Sequence, residues 1–337
     1  MSKITLIGID TAKNVFHLVG IDQHGKYVYR KKLSRQRLLP TLAQLEACQV
    51  VLEGCAASHH WARQIMSCGH QAQLIAAQHV KPYRRGQKND YRDAEAIVSA
   101  ALSPGMHFVG VKGVEQQAEQ ALHRVRSRLL SQRTAAANAL RGLLGEYGCA
   151  FAKGLKPLRE GAIDFIDRGE AQALGLVELI QDVLDELTQL EVRMKHNERQ
   201  NERRVQQDGL SRCMRQELAG VVELSASALR VKVADVRDFD NGRNFAAYLG
   251  LAPSHRGTGG EVTIGKLPKG RDRYVRQLMI HGARSVVSRV GDQQDARSCW
   301  LRDLVERRGF NTACVALAHK NARQAWAIMA RQQAIAA

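Results

Sequence analysis

Ile4-Thr-Leu-Ile-Gly-Ile-Asp10, Val15-Phe-His-Leu-Val-Gly-Ile21 and Lys26-Tyr-Val-Tyr-Arg-Lys-Lys32 follow one another at the start of a 337-residue chain. Each is a short run rich in β-branched and aromatic residues, which reads as a strand. Asp22-Gln-His-Gly25 supplies turn chemistry between the second and the third. Beyond them the pattern predicts a helix near 35–47 and a buried strand over Gln49–Glu53. A helix over 59–68, a strand over 73–76 and a helix over 91–102 follow. The order is β-β-β-α-β-α-β-α.

Three hairpin strands followed by alternating helices and strands are the order of an RNase H-like layer. The rest of the chain reads differently. Residues 114–147 form a long helical pattern without proline. A second helical zone is interrupted at Gly169. Residues 174–205 read as one charged helix with apolar positions at Leu176, Ile180, Leu184, Leu187, Leu190 and Met194. Spacings of three and four along that series make the seam of a helical hairpin or coiled coil, with a solvated spacer as the plainer alternative. After Gln207 a compact, mostly helical segment carries a glycine-rich loop, His255–Gly260, and a dense basic stretch, Lys266–Arg276. The expected class is therefore α/β plus α, in three parts: residues 1–112, 113–208 and 209–337.

Composition narrows the function. The chain is 45% hydrophobic and 25% charged, enough to bury a core. It has 50 Lys and Arg against 33 Asp and Glu, a net charge of +17. The excess sits at the two ends, and the middle is close to neutral. Two basic regions around a balanced centre suit one polyanion, and nucleic acid is the first expectation. A membrane surface would ask for a basic amphipathic helix with a bulky apolar face, which the sequence lacks. No apolar run is long enough to span a bilayer. Seven scattered cysteines without a Cys-x-x-Cys pair predict a reducing, cytoplasmic setting and argue against zinc.

Four carboxylates carry the chemistry. Asp10 ends the first apolar run and Glu53 ends the run Gln49-Val-Val-Leu-Glu53. In an RNase H-like sheet the first and fourth strands are neighbours, so these ends meet. Asp90 and Asp93 are three residues apart at the head of one predicted helix and share a face. Taken singly, each has an ordinary explanation: a turn or cap for Asp10, an N-cap for Asp90, a first-turn acid for Asp93. Converging in a basic protein, they call for a cation. Mg2+ is the expected one, being a hard ion that takes carboxylate and phosphate oxygens. Glu95 points away round the same helix.

With these residues in place, the sequence resembles the DEDD-type insertion-sequence transposases, the group that includes the Piv and MooV invertases and the RNA-guided bridge recombinases. The resemblance rests on Gly8-Ile-Asp-Thr-Ala-Lys13 and on Asn89-Asp-Tyr-Arg-Asp-Ala-Glu-Ala-Ile97. It continues in Phe245-Ala-Ala-Tyr-Leu-Gly-Leu-Ala-Pro253, Gly265-Lys-Leu-Pro-Lys-Gly-Arg-Asp-Arg-Tyr-Val-Arg-Gln-Leu278 and His281-Gly-Ala-Arg284, over nearly the whole chain.

The resemblance implies a RuvC-like catalytic domain, a helical coiled-coil insertion that in part closes that domain and in part dimerises, and a C-terminal transposase domain. It implies Mg2+ on Asp10, Glu53, Asp90 and Asp93, a serine nucleophile before a glycine in the C-terminal domain, and a site shared between subunits of a homo-oligomer. It also implies a guide RNA that pairs with donor and target DNA in a bacterial, nucleoid-associated setting. Here the nucleophile position is Thr258, in Arg256-Gly-Thr-Gly-Gly260, with Ser254 the poorer alternative by register. The threonine methyl stiffens the side chain and crowds attack. A glycine-x-glycine turn usual in the family is replaced by Gly220-Val-Val-Glu223, whose acid disfavours phosphate there.

Two basic groups flank these positions. Lys81, Arg84, Arg85, Lys88 and Arg92 lead into the acidic helix. Arg256, Lys266, Lys269, Arg271, Arg273 and Arg276 surround and follow the glycine-rich loop, as phosphate contacts would. The competing readings are a metal-dependent junction-resolvase-like nuclease with water as nucleophile, and a non-catalytic protein bridging RNA and DNA.

Overall fold

The computed structural model describes residues 3–84, 89–258, 261–268 and 272–336, except for the side chains of Arg256, Thr258, Val262 and Ala336. The chain divides into two compact units: Met1–Gln117 with Val231–Asp240, and Ala118–Arg230 with Asn241–Ala337.

The first unit is built on a six-stranded sheet of order β3-β2-β1-β4-β5-β6. Its strands are β1 (Ile4–Thr11), β2 (Val15–Asp22), β3 (Tyr27–Ser34), β4 (Gln49–Gly54), β5 (Gln71–Ala76) and β6 (Phe108–Val109). β1, β2 and β3 pair antiparallel, β1–β4 and β4–β5 parallel, and β6 returns antiparallel. The period of two sorts the side chains. Ile7, Ile9, Phe16, Leu18, Val50, Leu52 and Leu74 face one way, onto α1 (Leu38–Leu42) and α2 (Ser58–Ser67). Leu6, Val19, Ile21, Val51 and Ile75 face the other way, onto α4 (Asp90–Ala101). Ala77–Val80 forms the one-turn helix α3, and Lys81–Tyr83 a 3-10 turn.

The helix expected over 35–47 is much shorter than its pattern. Only Leu38–Leu42 is helical, with Leu38 and Leu42 buried one turn apart. Tighter turns end it, as Gln44 N–H reaches the Thr41 carbonyl and Leu45 N–H the Leu42 carbonyl. Residues 231–240 complete the unit. The buried Lys112 ammonium donates to the Val231 carbonyl at 2.8 Å, and Gln116 donates to the Val233 carbonyl.

The second unit holds most of α5 (Val114–Gly145), then α6 (Leu155–Asp167), α7 (Glu170–Ala173) and α8 (Val177–Gln207). The predicted seam of α8 is buried at Ile180, Leu184, Leu187, Leu190 and Met194. It packs on Ala136, Ala137, Leu140 and Leu144 of α5 and on α6, with Leu129 meeting Leu190 and Met194 further along. Asn197 donates to the Leu122 carbonyl at 3.2 Å, so the two helices run antiparallel. The remainder is α9 (Gly209–Glu217), most of α10 (Glu223–Lys232), α11 (Gly242–Tyr248), α12 (Arg273–Val287), α13 (Ala296–Arg308) and α14 (Phe310–Ala336). The loop expected over His255–Gly260 is in part a strand. β7 (His255–Thr258) pairs antiparallel with β8 (Glu261–Ile264), where Val262, Thr263 and Ile264 supply β-formers that the flanking glycines do not outweigh.

One contact in the first unit places the site. A side chain at Gly8 would come within 2.6 Å of the Ala94 carbonyl and 2.7 Å of Val98 Cγ2. β1 and α4 therefore touch backbone to backbone. Gly8→Ala is expected to destabilise the chain by about 1–3 kcal/mol through overpacking, read as a lowered midpoint in urea. A midpoint equal to the parent's would mean that α4 moves away freely.

Candidate functional site

The parallel register Ile9↔Leu52 carries Asp10 and Glu53 to the same end of adjacent strands, on the α4 face. Asp90 and Asp93 reach that end from the first turn of α4. Asn89 caps this helix, its side chain accepting from Tyr91 N–H at 3.0 Å. The cap that Asp90 was free to supply is thus taken by its neighbour, and both acids are left for other work.

Asp10, Asp90 and Asp93 each present a carboxylate oxygen within 4.8 Å of the others'. Glu53 is tied to the group by Arg84, whose Nη2 lies 2.8 Å from Glu53 Oε2 and whose Nε lies 3.0 Å from Asp93 Oδ1. Glu95 turns away and pairs with Arg30 at 2.7 Å. The sheet and α4 thus gather three of the four predicted acids directly and the fourth through a shared guanidinium.

Burial pushes the Asp10 carboxyl up to about 6, and the charges of Asp93, Glu53 and Asp90 push the same way, against Arg84. A carboxyl raised by desolvation and by like charges is one whose ionised form needs a cation nearby. Oxygen-only donors at this spacing suit a hard divalent ion.

His17 is a residue that the sequence reading passed over. It pairs across the strands with Asp10. It is buried, its ring meets Tyr91 edge-on at 4.8 Å, and its Nδ1 lies 3.7 Å from Asp90 Oδ2. The signal was present, since a histidine in the middle of the apolar run Val15-Phe-His-Leu-Val19 needs a reason to be inside.

The predicted basic residues divide. Lys81 sits in the 3-10 turn before Arg84, and Arg92 in the first turn of α4. Arg85, Lys88, Lys269 and Arg271 lie outside the described residues, as do the side chains of Arg256 and Thr258. Lys266 and Arg273 are exposed, and Arg276 donates to the Pro268 carbonyl. The Ser254 hydroxyl is engaged, donating to the Lys266 carbonyl at 3.1 Å. Glu223, which stands where the sequence argued against a phosphate turn, pairs with Arg215 at 2.9 Å.

Residues 7–149 match the model of a DEDD transposase family, and residues 216–299 match that of the IS116/IS110/IS902 transposases. The chain is a DNA-recombining enzyme, a transposase. Within that class it belongs to the IS110 family. It is 43% identical over 98% of both chains to a protein of Pseudomonas aeruginosa named a probable family 20 transposase. It is 40% identical to the transposase for insertion sequence element IS1111A of Coxiella burnetii, over 99% of this chain and 92% of that one. It is 34% identical to the transposase for insertion sequence element IS1328 of Yersinia enterocolitica, over 97% of each. Among the described residues no helix is long and apolar enough to cross a membrane.

The raised Asp10 carboxyl gives a test of the cluster itself. An acid whose folded value lies above its unfolded 3.8 has no effect on stability below that pH. It destabilises the fold increasingly between about 4 and 6, and fully above. Asp10→Asn is expected to raise the melting point in EDTA at pH 7.5. The gain is on the order of 1 kcal/mol once screening at this half-open site is allowed for, and it fades toward pH 4. A gain that is equal at both pH values would trace to packing.

Proposed function

We propose that the first unit is an RNase H-like (RuvC-like) catalytic layer holding Mg2+ on Asp10, Asp90, Asp93 and Glu53, and that it serves strand exchange at the ends of an insertion sequence. The observation that carries this reading is the meeting of three carboxylates within 4.8 Å at one end of the sheet. The donor set fits the ion, since all the donors are hard oxygens, and burial together with their concentrated charge already holds the Asp10 carboxyl up. When bound, Mg2+ would stabilise the charge that grows on the attacking and leaving oxygens of a phosphodiester.

The chain's own residues supply the rest. Arg84, which bridges Glu53 and Asp93 and is 41% exposed along its side chain, exchanges one of these partners for a phosphate when DNA binds. Lys81, Arg85, Lys88 and Arg92 lie near Arg84 in the sequence, and Arg256, Lys266, Lys269, Arg271, Arg273 and Arg276 make a second basic run in the sequence around Thr258; both runs serve as phosphate contacts in this reading.

In the second unit Thr258 is the nucleophile. Its hydroxyl oxygen attacks the phosphorus and loses its proton. One DNA strand end becomes a phosphoester on Thr258, and the other leaves as a hydroxyl that takes up a proton. Rejoining reverses these steps with a new end. Ser254 is less suited, because its hydroxyl is already committed to Lys266. A guide RNA pairing with donor and target DNA selects the sites. The active assembly is a homo-oligomer, joined in part through the helical region 113–208 as a coiled coil. The setting is the bacterial cytoplasm, at the nucleoid. Family membership and the basic ends of the chain support these parts of the reading.

Asp10→Ala and Thr258→Ala are each expected to abolish excision-circle formation. Protein–DNA adducts trapped on a nicked element end should form with the parent and not with Thr258→Ala. Cleavage without an adduct would return the nuclease reading, with water as nucleophile. RNA that co-purifies with the parent and pairs with both the element's ends and its targets is the expected guide, and its absence would remove that part.

A further inference from the structure

The carboxylate group has a neighbour that nothing above uses. His17 is 95% buried, and among the described residues its Nδ1 has no hydrogen-bond partner. Leaving a buried polar atom without a partner is costly, so its place needs an explanation. The nitrogen is aimed at Asp90 Oδ2, 3.7 Å away, too far for a hydrogen bond. The two partners differ in freedom. Strand pairing with Asp10 and the edge-on contact with Tyr91 fix the imidazole, whereas the Asp90 side chain is 62% exposed and sits in the first turn of its helix. The fixed group can therefore set the position of the free one.

We propose that His17 is a positioning residue. With its proton on Nδ1 it donates to Asp90 Oδ2 and holds the other Asp90 oxygen toward Asp10 and Asp93. The inference rests on the metal reading of those carboxylates. Of the three acids Asp90 is the most exposed, whereas Asp93 is buried and gripped by Arg84 and Asp10 is half-buried in β1. An exposed ligand loses the most rotamer freedom when an ion is bound. A fixed donor behind it takes over part of that ordering, as partners behind metal ligands generally do.

The experiment is a calorimetric titration of the full chain with Mn2+, without DNA, using two replacements that separate the hydrogen bond from the packing. His17→Asn keeps an N–H near the place of Nδ1 and loses the ring. His17→Phe keeps a ring against Tyr91 and loses the nitrogen. Affinity is expected to stay within about threefold of the parent in His17→Asn and to fall about tenfold or more in His17→Phe. In an Asp90→Asn background, His17→Phe should change nothing further. The reverse order, with Phe tolerated and Asn not, would make His17 a packing residue and overturn the proposal. A parent that binds Mn2+ no better than Asp10→Asn would overturn the metal reading and this inference with it. If either replacement fails to fold, the parent decides by nitrogen NMR. Mg2+ should shift the His17 Nδ1 resonance in the parent and not in Asp10→Asn, and an unmoved resonance overturns the proposal.

Discussion

At Gly8 the backbone of β1 meets helix α4 with no side chain between them, the Ala94 carbonyl standing where a Cβ would be. The arrangement of the acids in the first unit depends on that contact. Asp10 lies two residues beyond Gly8 on the strand, and Asp93 one residue before Ala94 on the helix. An added methyl group would lift the helix and carry Asp90 and Asp93 away from Asp10. Close approach is among the few reasons a strand interior keeps a glycine, which packs nothing itself.

The same approach sets the electrostatics. Burial raises the Asp10 carboxyl, and the charges of Asp93, Glu53 and Asp90 gathered beside it raise it further. Arg84 offsets part of it by bridging Glu53 and Asp93. The group stays partly open, since Asp90 is exposed while Asp93 is buried.

Much of the first unit was legible because its signals are local. Apolar runs of strand length, the turn at Asp22–Gly25 and the acids that end β1 and β4 can be read in windows of ten residues. Asp90 and Asp93 were legible from their spacing, and the ordinary alternative for Asp90, an N-cap, is ruled out because Asn89 caps the helix. The seam of α8 was legible from its period, but a period does not name the partner, and α5 of the same chain covers it. His17 was missed because the importance of a buried polar residue lies in what faces it across the sheet. Arg84 was read as one more phosphate contact, since the sequence does not say that the chain turns it back onto Glu53. The length of α1 failed where local turns overrode an amphipathic pattern, and β7 and β8 failed where glycine was taken to mean loop.

The return of residues 231–240 to the first unit has a consequence for how the chain is made. Lys112 finds the Val231 carbonyl only after 119 further residues have been added. The whole helical hairpin of α5 and α8 leaves the ribosome before the first unit can close. During translation that unit waits for a segment encoded far downstream, the one that Lys112 and Gln116 hold. A gene copy cut short anywhere within the hairpin thus yields an N-terminal piece that never completes its own fold, so fragments left by decaying copies carry the acids without a finished scaffold to aim them.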